Sequence, residues 1–403
     1  MSVRVIVGDA RDRLAELPGE SVHCCVTSPP YFGLRDYGVD GQIGLEPSPD
    51  EYIAVLVAVF CEVRRVLRGD GTLWLNLGDS YNAYNGGAGP SSALSQTASK
   101  QRPQLETGYG LRTKTLKPKD LLMVPARVAL ALQADGWWLR SDIIWHKPNP
   151  MPESVTDRPT SAHEHVFLLA KSERYYFDAD AVKEPAIYAG DERHLRPDNT
   201  QQARELKQNG TGNRRTTGFN DRYFGTRLTT GKPQAETRNI RNVWTIATAP
   251  YSEAHFATFP PSLVEPCIKA GTSERGVCAA CGAPWQRETE RVDQGYDGSR
   301  YGERAVAASG GAKTGGTRQS TLGSSNGKLT GKTATVGWSP SCACGAAVVP
   351  ATVLDPFGGA GTTGLVADRL GRDCIGIELN PAYAQMARQR IEADAGMFAS
   401  VAE

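Results

Sequence analysis

The sequence has 403 residues, of which 40% are hydrophobic, and its formal net charge is +1. A chain of this length and apolar content can bury a large core and has room for two or three domains. It contains no run of eighteen apolar residues and no signal-peptide pattern at its N-terminus, so we expect a cytoplasmic protein without a membrane span. The near-zero charge does not by itself indicate a nucleic-acid partner.

The first part of the sequence predicts alternating strands and helices. Short apolar runs rich in β-branched residues alternate with segments whose apolar residues recur at helical spacing, which is typical of an α/β arrangement. Pro49 suits the first turn of the second helix, and we expect the glycines at 69 and 71 to end it. The predicted elements are a strand at 3–8, a helix at 9–17, a strand at 22–27, a helix at 50–68 and a strand at 72–77.

Two polar, basic stretches lie further along the chain. Residues 82–119 and 186–242 are rich in small polar residues and lack the apolar periodicity of a core segment, so we expect both to be exposed. The strands predicted at 141–147 and 163–172 are expected to continue a parallel sheet. The remaining predicted elements are a helix at 120–135, a helix at 260–270, and a strand, glycine-rich turn, helix, strand and helix within 350–391.

The segment 353–370 is typical of a site for an adenosine-containing cofactor. It joins an apolar strand end, Asp355, a glycine-rich turn and a helix, and such a turn lets backbone N–H groups approach a ligand closely. The next strand ends in Glu378, from which a carboxylate can accept both hydroxyls of a ribose. An ordinary glycine-rich turn is the alternative, but the Asp-Pro-Phe start and the spacing to Glu378 favour the cofactor site.

The sequence Ser28-Pro29-Pro30-Tyr31 follows the second apolar strand. The two prolines fix the backbone and remove two donors, so the Ser28 hydroxyl and the neighbouring carbonyl groups form a rigid fork of acceptors. Acceptors placed on both hydrogens of an exocyclic amine favour a pyramidal nitrogen with a usable lone pair. Tyr31 offers an aromatic face on which a planar base can stack. Taken alone, this motif fits a structural Pro-Pro loop equally well.

The two motifs together resemble those of the DNA amino-methyltransferases, in which Asp/Asn/Ser-Pro-Pro-Tyr is catalytic and Phe-x-Gly-x-Gly binds the cofactor. Phe357, Gly359 and Gly361 match the second motif. The catalytic motif comes first and the cofactor motif last, which is the order found in the β group of these enzymes. Further blocks of the chain that resemble the family are 1–9, 71–81, 136–148 and 254–272.

This resemblance implies an α/β fold with a doubly wound, mostly parallel sheet of the S-adenosylmethionine-dependent methyltransferase type. It implies that Asp9 contacts the cofactor's adenine and that Glu378 holds its ribose. Asp355 and residues 357–361 would line the methionine and sulfonium part. The segment 186–242 would recognise duplex DNA through phosphates and base edges. A cognate restriction endonuclease of the same system is the other partner to consider.

The implied reaction is methyl transfer from S-adenosylmethionine to the exocyclic N4 of cytosine, by base flipping and direct in-line transfer. Cytosine is expected because serine at position 28 goes mostly with cytosine in the resembling enzymes, whereas aspartate goes mostly with adenine. The alternatives are an N6-adenine DNA methyltransferase, an RNA or protein amide methyltransferase, and a DNA-binding protein with a decayed site. The order of the two motifs argues against the RNA and protein enzymes.

Two close pairs of cysteines predict a metal site. Cys278, Cys281, Cys342 and Cys344 bracket a glycine- and serine-rich insertion, and four thiolates with this spacing suit a structural, tetrahedral zinc ion. The second pair has one residue between its cysteines instead of two, which departs from the usual pattern. Cys267 follows a proline, as the nucleophile of cytosine-C5 methyltransferases does, but we interpret it as a buried apolar side chain in a helix.

These interpretations divide the chain into five segments. Both ends contribute to one methyltransferase domain, and the zinc-ribbon-like insertion and the recognition segment interrupt it. The expected segments are a catalytic half at 1–185 with its basic loop at 82–119, a target-recognition segment at 186–242, a return to the methyltransferase domain at 243–271, the insertion at 272–347 and a cofactor-binding half at 348–403.

Overall fold

The computed structural model of the protein describes residues 2–82, 116–185, 237–249, 259–292, 332–395 and 401–402. Most of the predicted basic loop, most of the predicted recognition segment and the middle of the insertion lie outside these residues. The chain divides into two compact units, the first made of residues 1–182, 241–287 and 338–403 and the second of 183–240 and 288–337.

The first unit contains six helices within the described residues and a large mixed sheet. Its helices are α1 (Ala10–Glu16), α2 (Pro49–Val66), α3 (Val124–Ala134), α4 (Pro261–Gly271), α5 (Thr362–Arg369) and α6 (Pro381–Ala395). The strands of the sheet are β1 (Val3–Val7), β2 (Val22–Thr27), β3 (Leu67–Leu77), β4 (Trp138–His146), β5 (His163–Ala170), β8 (Val243–Thr245), β13 (Thr352–Asp355), β14 (Asp373–Glu378) and β15 (Val401–Ala402).

Short strands complete the list of elements. In the first unit, β9 (Val277–Cys278) pairs antiparallel with β12 (Val348–Val349). In the second unit, β6 (Glu184–Pro185) pairs antiparallel with β7 (Thr237–Arg238), and Arg238 donates a hydrogen bond of 2.7 Å to the Glu184 carboxylate. A two-stranded sheet joins β10 (Trp285–Val292) to β11 (Lys332–Pro340), and the boundary between the units crosses both strands.

The nine-stranded sheet has the order β15-β1-β14-β13-β2-β3-β5-β4-β8. All strand pairs from β15 to β3 are parallel, as are β4 and β8, which confirms the predicted mostly parallel α/β fold. The prediction that residues 163–172 continue a parallel sheet is wrong, because β5 runs antiparallel to both of its neighbours. A loop without a crossover helix connects β4 to β5, and strands connected in that way form a hairpin.

Helix α2 shows how local sequence sets the elements. The Ser48 hydroxyl accepts from the Glu51 backbone N–H as the N-cap of the helix and donates to the Glu51 carboxylate, and Pro49 occupies the first turn. Apolar residues at helical spacing then bury one face of the helix against the sheet. The buried residues of that face include Tyr52, Leu56, Val59, Phe60, Val63 and Val66.

Strand β3 starts earlier than the sequence predicts. The glycines at 69 and 71 do not end the helix, because α2 ends at Val66 and the strand begins at Leu67. The pairing with β2 shifts register between Val22 and Cys24, because β3 contains extra residues there and forms a bulge. A Cβ atom on Gly71 would lie 3.0 Å from the Leu67 side chain and 3.1 Å from the Arg68 carbonyl oxygen. The glycine therefore permits the irregular start of the strand.

The chain reverses the direction of winding between β13 and β2. From β13 the sheet extends through β14 and β1 on one side and through β2 and β3 on the other. The carboxyl ends of these five parallel strands share one edge of the sheet, and a crevice at such a switch point is where doubly wound sheets bind ligands. In the parts of the chain that the structure describes, no helix is long and apolar enough to cross a membrane.

Candidate active site

Asp355 lies at the centre of this edge. It is 2% exposed, and its carboxylate accepts hydrogen bonds from the Thr27 hydroxyl (2.6 Å), the Thr363 hydroxyl (2.8 Å) and the Phe357 backbone N–H (3.1 Å). Burial raises the pKa of Asp355, and the three hydrogen bonds act in the opposite direction. The carboxylate thus connects the ends of β13 and β2 and fixes the first residues of the glycine-rich turn.

Glu378 supports the same turn from β14. Its carboxylate accepts from the backbone N–H groups of Gly359 and Asn380, each at 2.8 Å. Burial raises the pKa of Glu378, while these two N–H groups lower it. Gly359 and Gly361 have φ angles of 50° and 72°, which favour glycine.

A cavity lies beside the glycine-rich turn, and the residues that line it show whether the turn can hold a cofactor. The cavity is small and is lined by Asp355, Gly358, Gly359 and Gly361 of the turn and by Glu378, and on its inner side by apolar core residues of β1, β14 and α6. The five named residues supply backbone N–H groups at a helix N-terminus and two carboxylate acceptors, which are the groups that hold an adenosine cofactor. The predicted residues Asp355, Phe357, Gly359, Gly361 and Glu378 therefore come together as one site.

Asp9 caps helix α1 at the same edge of the sheet. Its carboxylate accepts from the Arg11 backbone N–H at 2.8 Å and forms a bidentate ion pair with the Arg11 guanidinium. The hydrogen bonds from Arg11 lower the pKa of Asp9. The structure thus places Asp9 close to the C-terminal end of β1, as the cofactor assignment requires, but also gives it a strong partner within the protein.

The Ser-Pro-Pro-Tyr fork follows β2 on the other side of the switch point. The Pro30 carbonyl oxygen accepts from the Tyr52 hydroxyl at 2.8 Å, which fastens the loop to helix α2. Within the described residues, no donor occupies the Pro29 carbonyl oxygen. The Ser28 hydroxyl and the Pro29 carbonyl group are therefore the acceptors that remain for a substrate amine.

The Tyr31 hydroxyl lies in a cluster of polar side chains. It donates to the Glu164 carboxylate at 2.7 Å and lies 2.5 Å from the Asn76 Nδ2. Burial raises the pKa of Tyr31 well above its usual value, and the charge of Glu164 raises it further, so the phenol stays protonated. Its ring packs on Gly78, where any Cβ atom would lie 2.5 Å from a ring carbon. Whether this ring also stacks on a flipped base stays a prediction.

Three polar residues of this cluster escape the motif-based predictions. Asn76 lies in β3, Glu164 in β5 and Lys147 directly after β4, and Lys147 forms an ion pair with Glu164. Asn76 is 5% exposed, and no described residue donates to its Oδ1. The available signal was a polar residue in an otherwise apolar strand close to its carboxyl end, as in Leu-Asn-Leu-Gly-Asp at residues 75–79.

The four predicted metal ligands meet in space. The Sγ atoms of Cys278, Cys281, Cys342 and Cys344 all lie within 4.8 Å of one another. Four sulfurs at about 2.3 Å from one tetrahedral zinc ion would be about 3.8 Å apart, so the cluster has the size of such a site. The backbone N–H groups of Cys281 and Ala280 lower the pKa of Cys278, whereas the hydrogen bond with the Cys281 thiol raises the pKa of Cys344. The donor set therefore fits zinc.

The cysteine cluster contacts the sheet through backbone carbonyl groups. The Arg68 guanidinium donates to the Cys281 carbonyl oxygen at 2.5 Å, and the His23 Nε2 lies 3.2 Å from the Gly282 carbonyl oxygen. The Thr352 backbone N–H donates to His23 Nδ1 at 3.0 Å, which fixes a neutral tautomer. Both His23 and Arg68 lie near the amino ends of their strands, at the edge opposite the acceptor fork.

Protonation of His23 is expected to destabilise the fold in mild acid. Burial, with the charge of Arg68, lowers the pKa of His23 to about 4, whereas an unfolded histidine titrates near 6.5. Because the folded pKa is the lower one, the stabilisation is complete above pH 6.5 and is lost as the pH falls towards 4. Between pH 7 and pH 5 the loss is about 2 kcal/mol.

Urea unfolding of the wild type and of His23→Gln at both pH values measures this effect. Glutamine can offer one acceptor and one donor, as neutral histidine does, but it does not titrate. Between pH 7 and pH 5 the free energy of unfolding of the variant should therefore fall by about 2 kcal/mol less than that of the wild type. An equal pH dependence in both proteins would show that His23 does not titrate in this range.

Cys267 lies in the interior of helix α4. It is 1% exposed, its thiol contacts the Leu263 carbonyl oxygen at 3.3 Å, and burial raises its pKa well above the usual value. A buried thiol of this kind is a poor nucleophile. The structure agrees with its interpretation as an apolar core residue.

The fold and this edge of the sheet define a doubly wound enzyme that holds a nucleotide-like cofactor beside a fork of acceptors. The DNA methylase family, which comprises N6 and N4 methyltransferases, matches residues 22–279 and 350–389. The chain belongs to this family of DNA amino-methyltransferases. The predicted resemblance is therefore confirmed.

Similar proteins align with almost the whole chain. Type II methyltransferase M.SmaI of Serratia marcescens is 36% identical over 393 residues, which are 97% of this chain and 91% of the relative. Type II methyltransferase M.Cfr9I of Citrobacter freundii is 37% identical over 388 residues, which are 96% and 87% of the two chains. The fold is similar to that of PvuII DNA methyltransferase (cytosine-N4-specific), with a TM-score of 0.50, 15% identity and coverage of 100% and 96%.

Proposed function

We propose that the protein is a site-specific DNA methyltransferase that transfers a methyl group from S-adenosylmethionine to N4 of cytosine in duplex DNA. One observation carries the proposal: the Ser28 fork and the glycine-rich turn held by Asp355 and Glu378 are at one edge of one sheet, on either side of its switch point. An acceptor for an amine and a cradle for a methyl donor are the two parts that direct transfer needs.

In this proposal the chain binds and positions both reactants. Bound S-adenosylmethionine supplies the electrophilic methyl group. Glu378 would accept the hydroxyls of its ribose, Asp9 would accept from its adenine, and residues 357–361 would surround its methionine part. Asp355 holds the start of the turn, since its carboxylate accepts from the Thr27 and Thr363 hydroxyls and from the Phe357 N–H.

The fork would orient the flipped base. Ser28 Oγ and the Pro29 carbonyl oxygen accept the two hydrogens of the exocyclic amine, so that the nitrogen lone pair faces the methyl group. As the methyl–sulfur bond breaks and positive charge develops on the nitrogen, these acceptors would stabilise it more strongly than they do the neutral base. S-adenosylhomocysteine would be the leaving group, and the nitrogen would release one of its two protons to solvent. No protein nucleophile is needed, in agreement with the burial of Cys267.

Cytosine is favoured over adenine by the side chain at position 28. A serine oxygen is neutral and lies closer to the strand than a carboxylate oxygen would, so the amine must approach the strand more closely, which a pyrimidine permits more easily. The basic stretches 100–119 and 186–242 would bind the phosphates of the duplex, with an affinity that falls steeply with salt. A cognate endonuclease remains a further partner of this proposal.

The experiment that tests the function is analysis of the product. The protein is expressed in a host without other DNA methylation, and the host DNA is digested to nucleosides and examined by mass spectrometry. N4-methylcytosine supports the proposal, and N6-methyladenine refutes the choice of base but not the amine chemistry. C5-methylcytosine would overturn the mechanism, and methylation of RNA or protein alone would overturn the substrate class.

We also propose one structural zinc ion per chain, bound by Cys278, Cys281, Cys342 and Cys344. Four sulfur ligands leave no open position, so the ion would stabilise the fold and take no part in the reaction. Metal analysis of the purified protein should give one zinc per chain, and Cys281→Ser should lose the metal and melt at a lower temperature. Cys61→Ser, which changes an exposed cysteine outside the cluster, is the matched control. A folded, active and zinc-free wild type would contradict the proposal.

A further inference from the structure

A chain of hydrogen bonds leads from an ion pair to the serine of the fork. Lys147 pairs with one oxygen of Glu164, and the other oxygen accepts from the Tyr31 hydroxyl at 2.7 Å and from Asn76 Nδ2 at 2.8 Å. The Ser28 hydroxyl lies 3.4 Å from the Tyr31 oxygen. The side chains of Lys147 and Glu164 are only 19% and 15% exposed, so the pair is largely shielded from water.

The direction of every hydrogen bond in this chain follows from its charged end. A carboxylate that faces an ammonium group accepts and does not donate, so the Tyr31 hydroxyl must give its proton to Glu164. The lone pairs of the Tyr31 oxygen then face Asn76 Nδ2 and Ser28. Within the described residues, the Tyr31 oxygen is the one acceptor in reach of the Ser28 proton.

The orientation of the Asn76 amide supports the same direction. Its Nδ2 lies 2.5 Å from the Tyr31 oxygen and 2.8 Å from Glu164, with the Ser28 oxygen further away at 3.5 Å. Rotating the amide by half a turn would set its carbonyl oxygen against the Glu164 carboxylate, which no hydrogen could bridge. Glu164 therefore fixes Asn76 as a donor to the Tyr31 oxygen, and Tyr31 cannot give its own proton to Asn76.

We propose that Glu164 is a positioning residue that directs the Ser28 proton away from the substrate, so that Ser28 presents lone pairs to the target amine. A serine hydroxyl can donate or accept, and a Ser28 proton facing the base would oppose the hydrogens of the amine. The inference rests on the proposed function, since it concerns the same fork. It assigns to Glu164, Lys147 and Asn76 the task of choosing which role the serine plays.

Glu164→Gln is the first test, with methyl transfer measured from labelled S-adenosylmethionine to unmethylated genomic DNA. A glutamine can donate to the Tyr31 oxygen and reverse the chain, so we expect kcat to fall about 10- to 100-fold. Because Glu164 acts through Tyr31, the KM for DNA and the affinity for S-adenosylmethionine should stay within about twofold. The matched control is Glu265→Gln, which removes a Glu–Lys pair of helix α4 and should leave kcat unchanged.

A double-mutant cycle separates positioning from a general structural role. Tyr31→Phe removes the link between Glu164 and Ser28, so adding Glu164→Gln to Tyr31→Phe should slow the enzyme by less than about twofold. Losses that multiply in the double variant would overturn the inference, as would a Glu164→Gln enzyme with the wild-type kcat. If Glu164→Gln fails to bind the cofactor, the Tyr31→Phe variant tests the inference by itself. Wild-type kcat in Tyr31→Phe would show that the hydrogen bonds from Glu164 through Tyr31 to Ser28 have no role in catalysis.

The outcomes for the proposed function and for this inference are distinct. A wild type that methylates no DNA would defeat the proposed function whatever its variants do. If the wild type methylates DNA and the Glu164→Gln and Tyr31→Phe variants have the same kcat, the proposed function stands. Only the role of Glu164 is then refuted.

Discussion

Ser28→Ala is expected to lower kcat about 10²- to 10³-fold, which is the usual effect of removing one group that stabilises charge in a transition state. The variant loses an acceptor for the amine but no contact with the glycine-rich turn, since the described contacts of Ser28 are with Tyr31 and Asn76. Affinity for S-adenosylmethionine should therefore stay within about twofold. Single-turnover kinetics with DNA and calorimetry with the cofactor measure the two effects separately.

The control for this experiment is Ser21→Ala, which removes a hydroxyl that donates to the Pro18 carbonyl oxygen just before β2, at the opposite end of that strand from the fork. It should leave both turnover and cofactor affinity unchanged. A Ser28→Ala enzyme that turns over at the wild-type rate would show that the Pro29 carbonyl group alone is sufficient, and the fork would have to be abandoned.

Asp355→Ala is expected to have the opposite signature, with cofactor affinity falling about 100-fold or more and the free energy of unfolding falling by about 3 kcal/mol. The substitution removes the acceptor of three donors, two hydroxyls and the Phe357 N–H, in a fully buried position. Of these donors, Thr363 has a second acceptor in the Val26 carbonyl oxygen, whereas the Phe357 N–H has no other described partner. The glycine-rich turn then loses its fixed start.

Calorimetry and urea unfolding measure the two quantities, and Asp355→Asn provides the matched variant. The amide keeps the volume and one acceptor oxygen, so it should retain more stability and more cofactor affinity than alanine does. Equal cofactor affinity in the wild type and in Asp355→Ala would mean that the turn binds its ligand without the help of Asp355.

Local patterns in the sequence predict most of the helices and strands. The apolar run 22–27 and the Pro49 helix correspond closely to β2 and α2, because side-chain spacing and capping act within one element. The cysteine pairs were also predictable, since their close spacing limits where the sulfurs can be. Side-chain spacing within a strand does not report its direction, and the antiparallel orientation of β5 follows instead from its connection to β4, which contains no crossover helix.

The motifs predicted the ligand-facing half of the site but not the side chains behind it. Ser28 and Tyr31 are neighbours in a motif, whereas Asn76, Lys147 and Glu164 come from three other places in the chain. Their meeting depends on the register of β3, β4 and β5, which no local pattern contains. Similarly, the motif gave Asp355 a place near the ligand, but its threonine partners on β2 and α5 make it a support for the turn.

The position of β1 has a consequence for synthesis of the protein on the ribosome. Val3 pairs with Cys374 and Val7 with Glu378, and the Ser2 N–H bonds to Asp373, a residue made 371 positions later. At roughly 5–20 residues per second, the first strand waits about 20 to 75 s for its neighbour to be translated. Such distant pairing also slows folding after release, because the entropy of closing a long loop is lost before the strand contacts form and stabilise it. Until its neighbour is made, this apolar strand has an unpaired edge, and unpaired apolar edges of this kind favour aggregation.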